Sequence, residues 1–408
     1  MEIQHFEDED ENEHEHEWKK GQGHAMRLLI FLDTDHLSGP ARLALDFAVE
    51  ARRLGHEVLM LGLFRGARVG PNRFSEAMTQ AGVPTRMLHE RFRFDPGVTR
   101  QFGRVLEEFG PDLYQSHGYK GSLLGGIARR RGVVWQAIFH GLTWENWRVR
   151  LYHWLDLRWL RQADEVIAVS RPFQRLLAQK GLKKDRLFWI PNAISEMNLR
   201  ATGSGEDLRN QWFEPQGGPV VIAGVLGRFS PEKGPDHFLH SFARAVLRRP
   251  DLRAVMVGDG PLLAPCRSLA ERLGIAQRVV FPGFRSDLAS IYEALDLVVI
   301  PSRSEGLPTV LLEAMLMGVP VLSTRVGGVP DLVRDGQSAL LVASEDREAL
   351  AEGLIRLAED RDLRVRLAGE AQELARNRLS VQVRTSTILG HARCLMGGEP
   401  LSNTPWNE

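Results

Sequence analysis

Residues 296–325 read DLVVIPSRSEGLPTVLLEAMLMGVPVLSTR, and the order of residue types in this stretch decides the fold. LDLVVIPS (295–302) is an apolar run of strand length, and VPVLSTR (319–325) is a second. Between them EGLP opens a helix, because a proline fits the first turn, where its missing amide would have no partner anyway. Strand, helix and strand in that order make a parallel pair buried on both faces. The same alternation extends towards the N-terminus of this half. It runs through PVVIAGVLG (219–227), a helix around 234–249, RAVMVGDG (253–260), a helix around 261–274, RVVFPGF (278–284) and a helix around 287–294. It had already run once before. RLLIFLD (27–33) precedes a helical SGPARLALDFAVEARRLG, then come EVLMLGL (57–63), DLYQSH (112–117), VVWQAIFH (133–140), EVIAVS (165–170) and LFWIPN (187–192).

The expected fold class is therefore α/β, with two Rossmann-like domains facing a central cleft. ATGSGEDLRNQWFEPQGG (201–218) interrupts the rhythm with Gly, Ser and polar residues and reads as the linker. The expected boundaries are a disordered acidic tail at 1–25, a first domain at 26–200 and a second at 201–385. Residues 345–395 read as helical throughout.

Composition narrows the function classes. The 408 residues are 43% hydrophobic and 25% charged, ordinary for a globular protein. No apolar run approaches the roughly 18 residues of a membrane-spanning helix. Cys266 and Cys394 are too few for a disulfide framework, so a reducing cytoplasm is the expected compartment. The acidic N-terminus is no secretory signal, and its HEHEHE run reads as a solvated tail rather than a metal site. The zero net charge conceals a split: residues 27–200 carry 27 Lys and Arg against 17 acids, and residues 201–408 carry 23 against 26. A basic half suits a phosphate-bearing ligand or an anionic membrane surface. No Walker A sequence or G-x-G-x-x-G fingerprint occurs, which argues against ATP hydrolysis and dinucleotide oxidoreduction. No nucleic-acid partner is expected.

Ligands of open α/β sheets bind beyond the C-terminal ends of strands, so the turns there hold the candidates. After LDLVVIPS come Glu305, Gly306, Leu307, Pro308 and Thr309, with free helix-start amides that favour a phosphate. Glu313, one turn into the helix, suits a ribose diol. On spacing alone, a Glu305 that caps the helix and a Glu313 in a surface pair fit equally well. After PVVIAGVLG, Arg228 and Lys233 lie five apart in a tight loop. A planar fork and a point charge at that edge suit a diphosphate. Gly258-Asp259-Gly260 and Phe281-Pro282-Gly283-Phe284 let backbone approach a flat ligand. In the first half, His117 and His140 end strands, where each is either a donor to substrate or a satisfied structural histidine. Gly39 would admit a phosphate near a backbone amide. Asp33-Thr34-Asp35 has the look of a metal-binding D-x-D but lies in the half without Arg228 and Lys233, so no metal site is assigned. TWENWRVRLYHWLDLRWLR (143–161) mixes Trp with Arg and suits either an anionic membrane surface or a packed helix with snorkelling arginines.

Taken together, GRFSPEKG, VGDGP, FPGF and EGLPTVLLEAMLMGVPVLSTRVGGVPDLV resemble the retaining glycosyltransferases of family 4, on the GT-B fold. HGLTW and DEVIAVSRPFQRLL extend the resemblance, more loosely, into the first domain. The resemblance implies a metal-independent enzyme without a cofactor. Such an enzyme moves a sugar, with retention, from a nucleoside-diphosphate sugar to a glycan or lipid-linked acceptor, as in lipopolysaccharide or surface polysaccharide synthesis. It implies Arg228 and Lys233 on the diphosphate, Glu313 on the ribose, and Glu305 with Gly306–Thr309 on the donor sugar. His140 would stand near the reacting centre, Gly39 and Gly260 near the donor, and Phe284 beside the base. Residues 386–408 would cross back onto the first domain. LSGPAR departs from the Gly-Gly expected in the first loop. Two alternatives stand beside this one: an epimerase of GT-B type, and a non-catalytic nucleotide-sugar-binding subunit.

Overall fold

The computed structural model describes residues 25–36, 38–65, 72–93, 95–141, 147–195, 199, 203–213 and 220–398, and the side chains of 147–153 are not described. The acidic tail, residues 143–146 of the tryptophan-rich stretch and the end of the chain from 399 lie outside the described residues.

Two parallel sheets carry the molecule. The first holds β1 (Arg27–Leu32), β2 (Glu57–Arg65), β3 (Thr85–Glu90), β4 (Leu113–His117), β5 (Val134–Phe139), β6 (Glu165–Ala168) and β7 (Leu187–Trp189), in the order β3-β2-β1-β4-β5-β6-β7. The second holds β8 (Val221–Leu226), β9 (Leu252–Val257), β10 (Val279–Gly283), β11 (Leu297–Ile300), β12 (Val321–Thr324) and β13 (Leu340–Val342), in the order β10-β9-β8-β11-β12-β13. Every ladder is parallel. In each sheet the chain fills one side and then jumps to the other, so the order reverses between β1 and β4 and between β8 and β11. Helices leave opposite faces at such a point and open a crevice at the strand ends.

Local chemistry explains the elements the sequence did not announce. β3 (TRMLHE) is an edge strand, half exposed, and its charged residues break any apolar run. β13 is only three residues long. The segment read as a linker carries a helix, Gly205–Trp212, with Glu206 and Asp207 in its first turn, where the helix dipole favours acids. Arg209 ties it to the second sheet through Asp296 at 3.0 Å and the Ala294 carbonyl at 2.9 Å.

Packing in the first domain sets the site. Trp135 on β5 is fully buried and donates to Ser116 Oγ at 2.8 Å. A Cβ on Gly125 would stand 2.1 Å from its ring, so the Gly118–Arg130 helix lies hard against β5. Burying such a ring contributes roughly 4–6 kcal/mol before entropy is counted. The contact fixes the ends of β4 and β5, and with them His117 and His140.

The last three helices are Arg347–Glu359, Arg361–Arg378 and Val381–Leu395. The final one packs on the first domain against the Gly39–Arg53 helix and β5. Gln136 Nε2 donates to the Ile388 carbonyl at 3.1 Å, Arg384 Nε donates to the Pro191 carbonyl at 3.0 Å, and His391 meets Glu165.

Candidate active site

The β8–β11 switch point of the second sheet delivers one lining. Gly227, Arg228 and Lys233 follow β8, and Ser302, Glu305 and Pro308 follow β11; all six border one pocket. Gly260, after β9, packs against Phe229 of the pocket wall: it sits at φ +149°, where an L side chain is strained, and a Cβ would meet the Phe229 carbonyl oxygen at 2.5 Å. Its amide is already used by Asp259 Oδ1 at 2.7 Å.

Lys233 and Glu305 lie on each other. Nζ reaches Oε1 at 2.8 Å and Oε2 at 2.9 Å, and Ser302 Oγ donates to Oε1 at 2.7 Å. The carboxylate is buried, at 7% exposure, while the ammonium is a third exposed. Glu305 is thus no helix cap: the Thr309–Leu316 helix has Pro308 at its N-cap and no side-chain cap. The first amides of that helix, Thr309 and Val310, come before its backbone ladder begins, and among the described residues neither donates to a carbonyl outside the helix.

Glu313 is not a surface residue either. It is buried behind the lining, and its Oε2 accepts the Tyr292 hydroxyl at 2.6 Å. Burial pushes its pKa up, against the Tyr292 bond and the nearby Arg42. Phe284 is 58% exposed, with the Arg73 guanidinium of the first domain 5.6 Å from its ring centre.

The two domains touch at the cleft. A Cβ on Gly306 would stand 2.5 Å from the His140 carbonyl oxygen, so no larger residue fits between the two strand-end turns. A Cβ on Gly39 would lie 3.9 Å from Thr309 Cγ2. Asn192 Nδ2 donates to the Leu307 carbonyl at 3.4 Å, and the Arg171 amide donates to Asp331 at 2.9 Å.

The first sheet's switch point delivers the opposite wall. His117 Nδ1 and His140 Nε2 are 2.8 Å apart, with rings stacked at 5.0 Å, and His117 Nε2 lies 3.2 Å from Gln115 Oε1. If Nε2 of His117 donates to Gln115, its Nδ1 accepts, and His140 carries its proton on Nε2. Both rings stay neutral. Burial lowers the His140 pKa to about 3, helped by the Arg384 charge, and lowers that of His117 as well. Arg384 comes from the final helix and is itself pulled down to about 10 by burial, opposed by Asp46.

Asp33 of the D-x-D run is committed to cations. Arg65 bonds it at 2.7 Å and Glu90 at 2.6 Å, and Lys120 lies against Glu90 and 4.0 Å from Asp33. Among the described residues no group of three His, Cys, Asp or Glu could hold a metal. Beside this network a cavity of about 280 Å³ opens between the end of β1, the Gly118–Arg130 helix, the end of β5 and the Trp147–Leu160 helix. Sequence reasoning missed Lys120, Arg384 and Asp156. The early signal for Asp156 was its place as one of two acids, with Glu145, in the Trp/Arg stretch.

The chain matches two family models in succession: Glycosyltransferase Family 4 over residues 37–196 and Glycosyl transferases group 1 over residues 205–374. It is 37% identical to a D-inositol 3-phosphate glycosyltransferase of Actinosynnema mirum over 309 residues, 69% of this chain and 72% of that one. It is 34% identical to the lipopolysaccharide core biosynthesis glycosyltransferase LpsE of Rhizobium meliloti over 191 residues, 46% of this chain and 54% of that one. Against four further D-inositol 3-phosphate glycosyltransferases, from Corynebacterium and Mycobacterium, the chain spans only 30% to 53% of their length. The fold is that of HepE of Anabaena in complex with UDP-glucose, at TM-score 0.80 and 23% identity over 90% of this chain and all of that one. It is likewise that of a sucrose-phosphate synthase of Thermosynechococcus elongatus, at TM-score 0.75 and 19% identity over 91% and 99%. With two parallel-sheet domains facing one cleft on the GT-B fold, and with the Actinosynnema relative aligned over most of both chains, the chain belongs to the family 4 glycosyltransferases of the glycosyl transferases group 1 type.

Proposed function

We propose that this chain transfers a sugar, with retention and without a metal, from a nucleoside-diphosphate sugar to a glycan or lipid-linked acceptor. The observation that carries the proposal is the gathering of Arg228, Lys233, Ser302 and Glu305 at the β8–β11 switch point, against the helix start at Thr309. A diphosphate leaving group carries more negative charge than Glu305 and competes with it for Lys233. Arg228, Lys233 and the amides of Thr309 and Val310 then stabilise the charge that develops as the glycosidic bond breaks. Glu305, released from Lys233 and still held by Ser302, turns to the hydroxyls of the donor sugar. Glu313, with Oε2 fixed by Tyr292, offers its other oxygen to the ribose, and exposed Phe284 stacks on the base. Gly39 and Gly260 let backbone approach the donor, and the Gly306–Pro308 turn forms its bed. His140 presents a neutral ring and a backbone carbonyl where the two domains meet, beside the reacting carbon.

The relative named for lipopolysaccharide core synthesis supports an acceptor of the surface-glycan class. No helix among the described residues is long and apolar enough to cross a membrane. Trp154, 60% exposed, and Arg158 one turn on support peripheral contact with an anionic inner-membrane face through 143–161.

Thermal shift with UDP, GDP, ADP and their sugars tests the donor site. A nucleotide at 100 times its Kd adds about 2.7 kcal/mol of stability. One base should raise Tm and the others fall behind; a flat response to all of them sinks the donor-site reading.

A further inference from the structure

The cavity in the first domain has a feature that the donor site does not use. Asp156, on the Trp147–Leu160 helix, borders it and is 6% exposed, and its Oδ1 accepts no hydrogen bond among the described residues. A buried carboxylate oxygen without a donor is costly, and folding alone does not require one. Trp159 and Leu160 already seat this helix, the first against Gly126 and the second in the core. The charged groups nearby are answered: Asp33 and Glu90 by Arg65 and Lys120. Ser122, His117 and His140 add neutral hydrogen-bonding groups to the same wall. Ser122 already donates a hydrogen bond to the Asp156 carboxylate, and the acceptor capacity that remains on it, among neutral donors and acceptors, matches the hydroxyls of a vicinal diol. A phosphate brought to the same place would face Asp156 at like charge. The volume, about 280 Å³, is close to the lower end of small-ligand pockets, roughly 300–1,000 Å³.

Resting on the donor-site reading above, we propose that this cavity receives the acceptor, that the acceptor ends in an uncharged hydroxyl-rich ring, and that Asp156 sets acceptor specificity by holding a diol of that ring. Two neighbouring observations place the ring usefully. His140 lies on the cavity wall, and its backbone carbonyl touches Gly306 of the donor turn, so a ring hydroxyl there is one residue away from the donor sugar's bed.

The test is saturation-transfer NMR on the full chain with a nucleoside diphosphate present. The probes are methyl hexopyranosides, myo-inositol and D-inositol 3-phosphate. Wild type should transfer saturation to a neutral ring and less to the phosphate. Asp156→Asn should weaken ring binding about tenfold and raise Tm, with nucleotide affinity within twofold of wild type; Ser122→Val, which narrows the cavity, should weaken it too. The proposal is overturned if neutral rings fail to bind while the nucleotide binds normally. It is equally overturned if the phosphate binds more tightly, or if Asp156→Asn and Ser122→Val both leave ring binding within twofold. Should nucleotides fail to bind while rings bind through Asp156, the cavity assignment stands and the donor reading falls.

Discussion

On the second-sheet side of the cleft the charges answer one another, Lys233 lying on Glu305 at 2.8 Å; on the first-sheet side Asp156 keeps a buried oxygen with no donor. The two regions share a position, the switch point of a parallel sheet, and differ in how they wait for a ligand. The donor side stores its groups as an internal ion pair, so binding is an exchange of partners. The acceptor side leaves one group unsatisfied, so its cost is carried by the fold until a ligand arrives. A region of the first kind should lose function when broken and gain little stability. A region of the second kind should gain stability when its odd group is neutralised.

The largest expected effect breaks the first region. Lys233→Ala should lower kcat/KM for transfer at least 100-fold, about 2.7 kcal/mol of transition-state stabilisation, and weaken nucleoside diphosphate binding measured by titration calorimetry. Glu305→Gln should lower transfer comparably and leave diphosphate binding within threefold. Equal loss of diphosphate binding in both variants contradicts the separate roles.

Next comes the contact that joins the regions. Gly306→Ala puts a methyl 2.5 Å from the His140 carbonyl oxygen, so the domains must separate or the turn must shift. Overpacking of this kind costs roughly 1–3 kcal/mol, and transfer should fall about tenfold. A variant with wild-type Tm and wild-type turnover would show that the two turns do not meet in solution.

The third effect has opposite signs in two groups. Burial raises the Asp156 pKa from 3.8 to about 6, so the ionised form destabilises the fold above pH 6, and stability recovers as pH falls towards 3.8. Asp156→Asn should therefore be more stable than wild type by roughly 1–3 kcal/mol at pH 7.5, with the difference closing near pH 4. His140 is shifted the other way, from 6.5 to about 3, so its neutral form supports the fold above pH 6.5 and that support is lost as pH falls below it. Going from pH 7 to pH 5, His140→Gln should lose about 2 kcal/mol less than wild type in urea unfolding. Parallel pH curves for wild type and either variant would remove the burial account of that residue.

The smallest effect lies at the edge of the first domain. Trp154→Ala should reduce co-sedimentation with anionic liposomes severalfold and leave sugar transfer to a water-soluble acceptor unchanged. Undiminished sedimentation would take the exposed tryptophan out of the membrane account.

The same contrast explains what could be read in advance. The donor side was legible because its residues lie within short turns after strands. Gly227 to Lys233 and Ser302 to Pro308 are each continuous, and apolar runs announce where each turn begins. What could not be seen was the Lys233–Glu305 pair, since spacing along two separate loops does not say that they touch. The acceptor side was hardly legible. Asp33, Lys120, His140 and Asp156 come from four elements and meet only when the Gly118–Arg130 helix packs on Trp135. Spacing left Glu313 equally a ribose ligand and a surface residue, and its burial against Tyr292 was not legible because it depends on another helix. Edge strand β3 escaped because solvent on one face leaves polar residues in a strand that has no apolar run.

Calorimetric titration of nucleoside diphosphate into full-length wild type, Lys233→Ala and Asp156→Asn tests the division of labour most directly. The prediction is a loss of at least tenfold in affinity for Lys233→Ala and a change within twofold for Asp156→Asn. Equal affinities in all three proteins, or a larger loss for Asp156→Asn, would contradict a donor site on the second sheet and an acceptor site on the first.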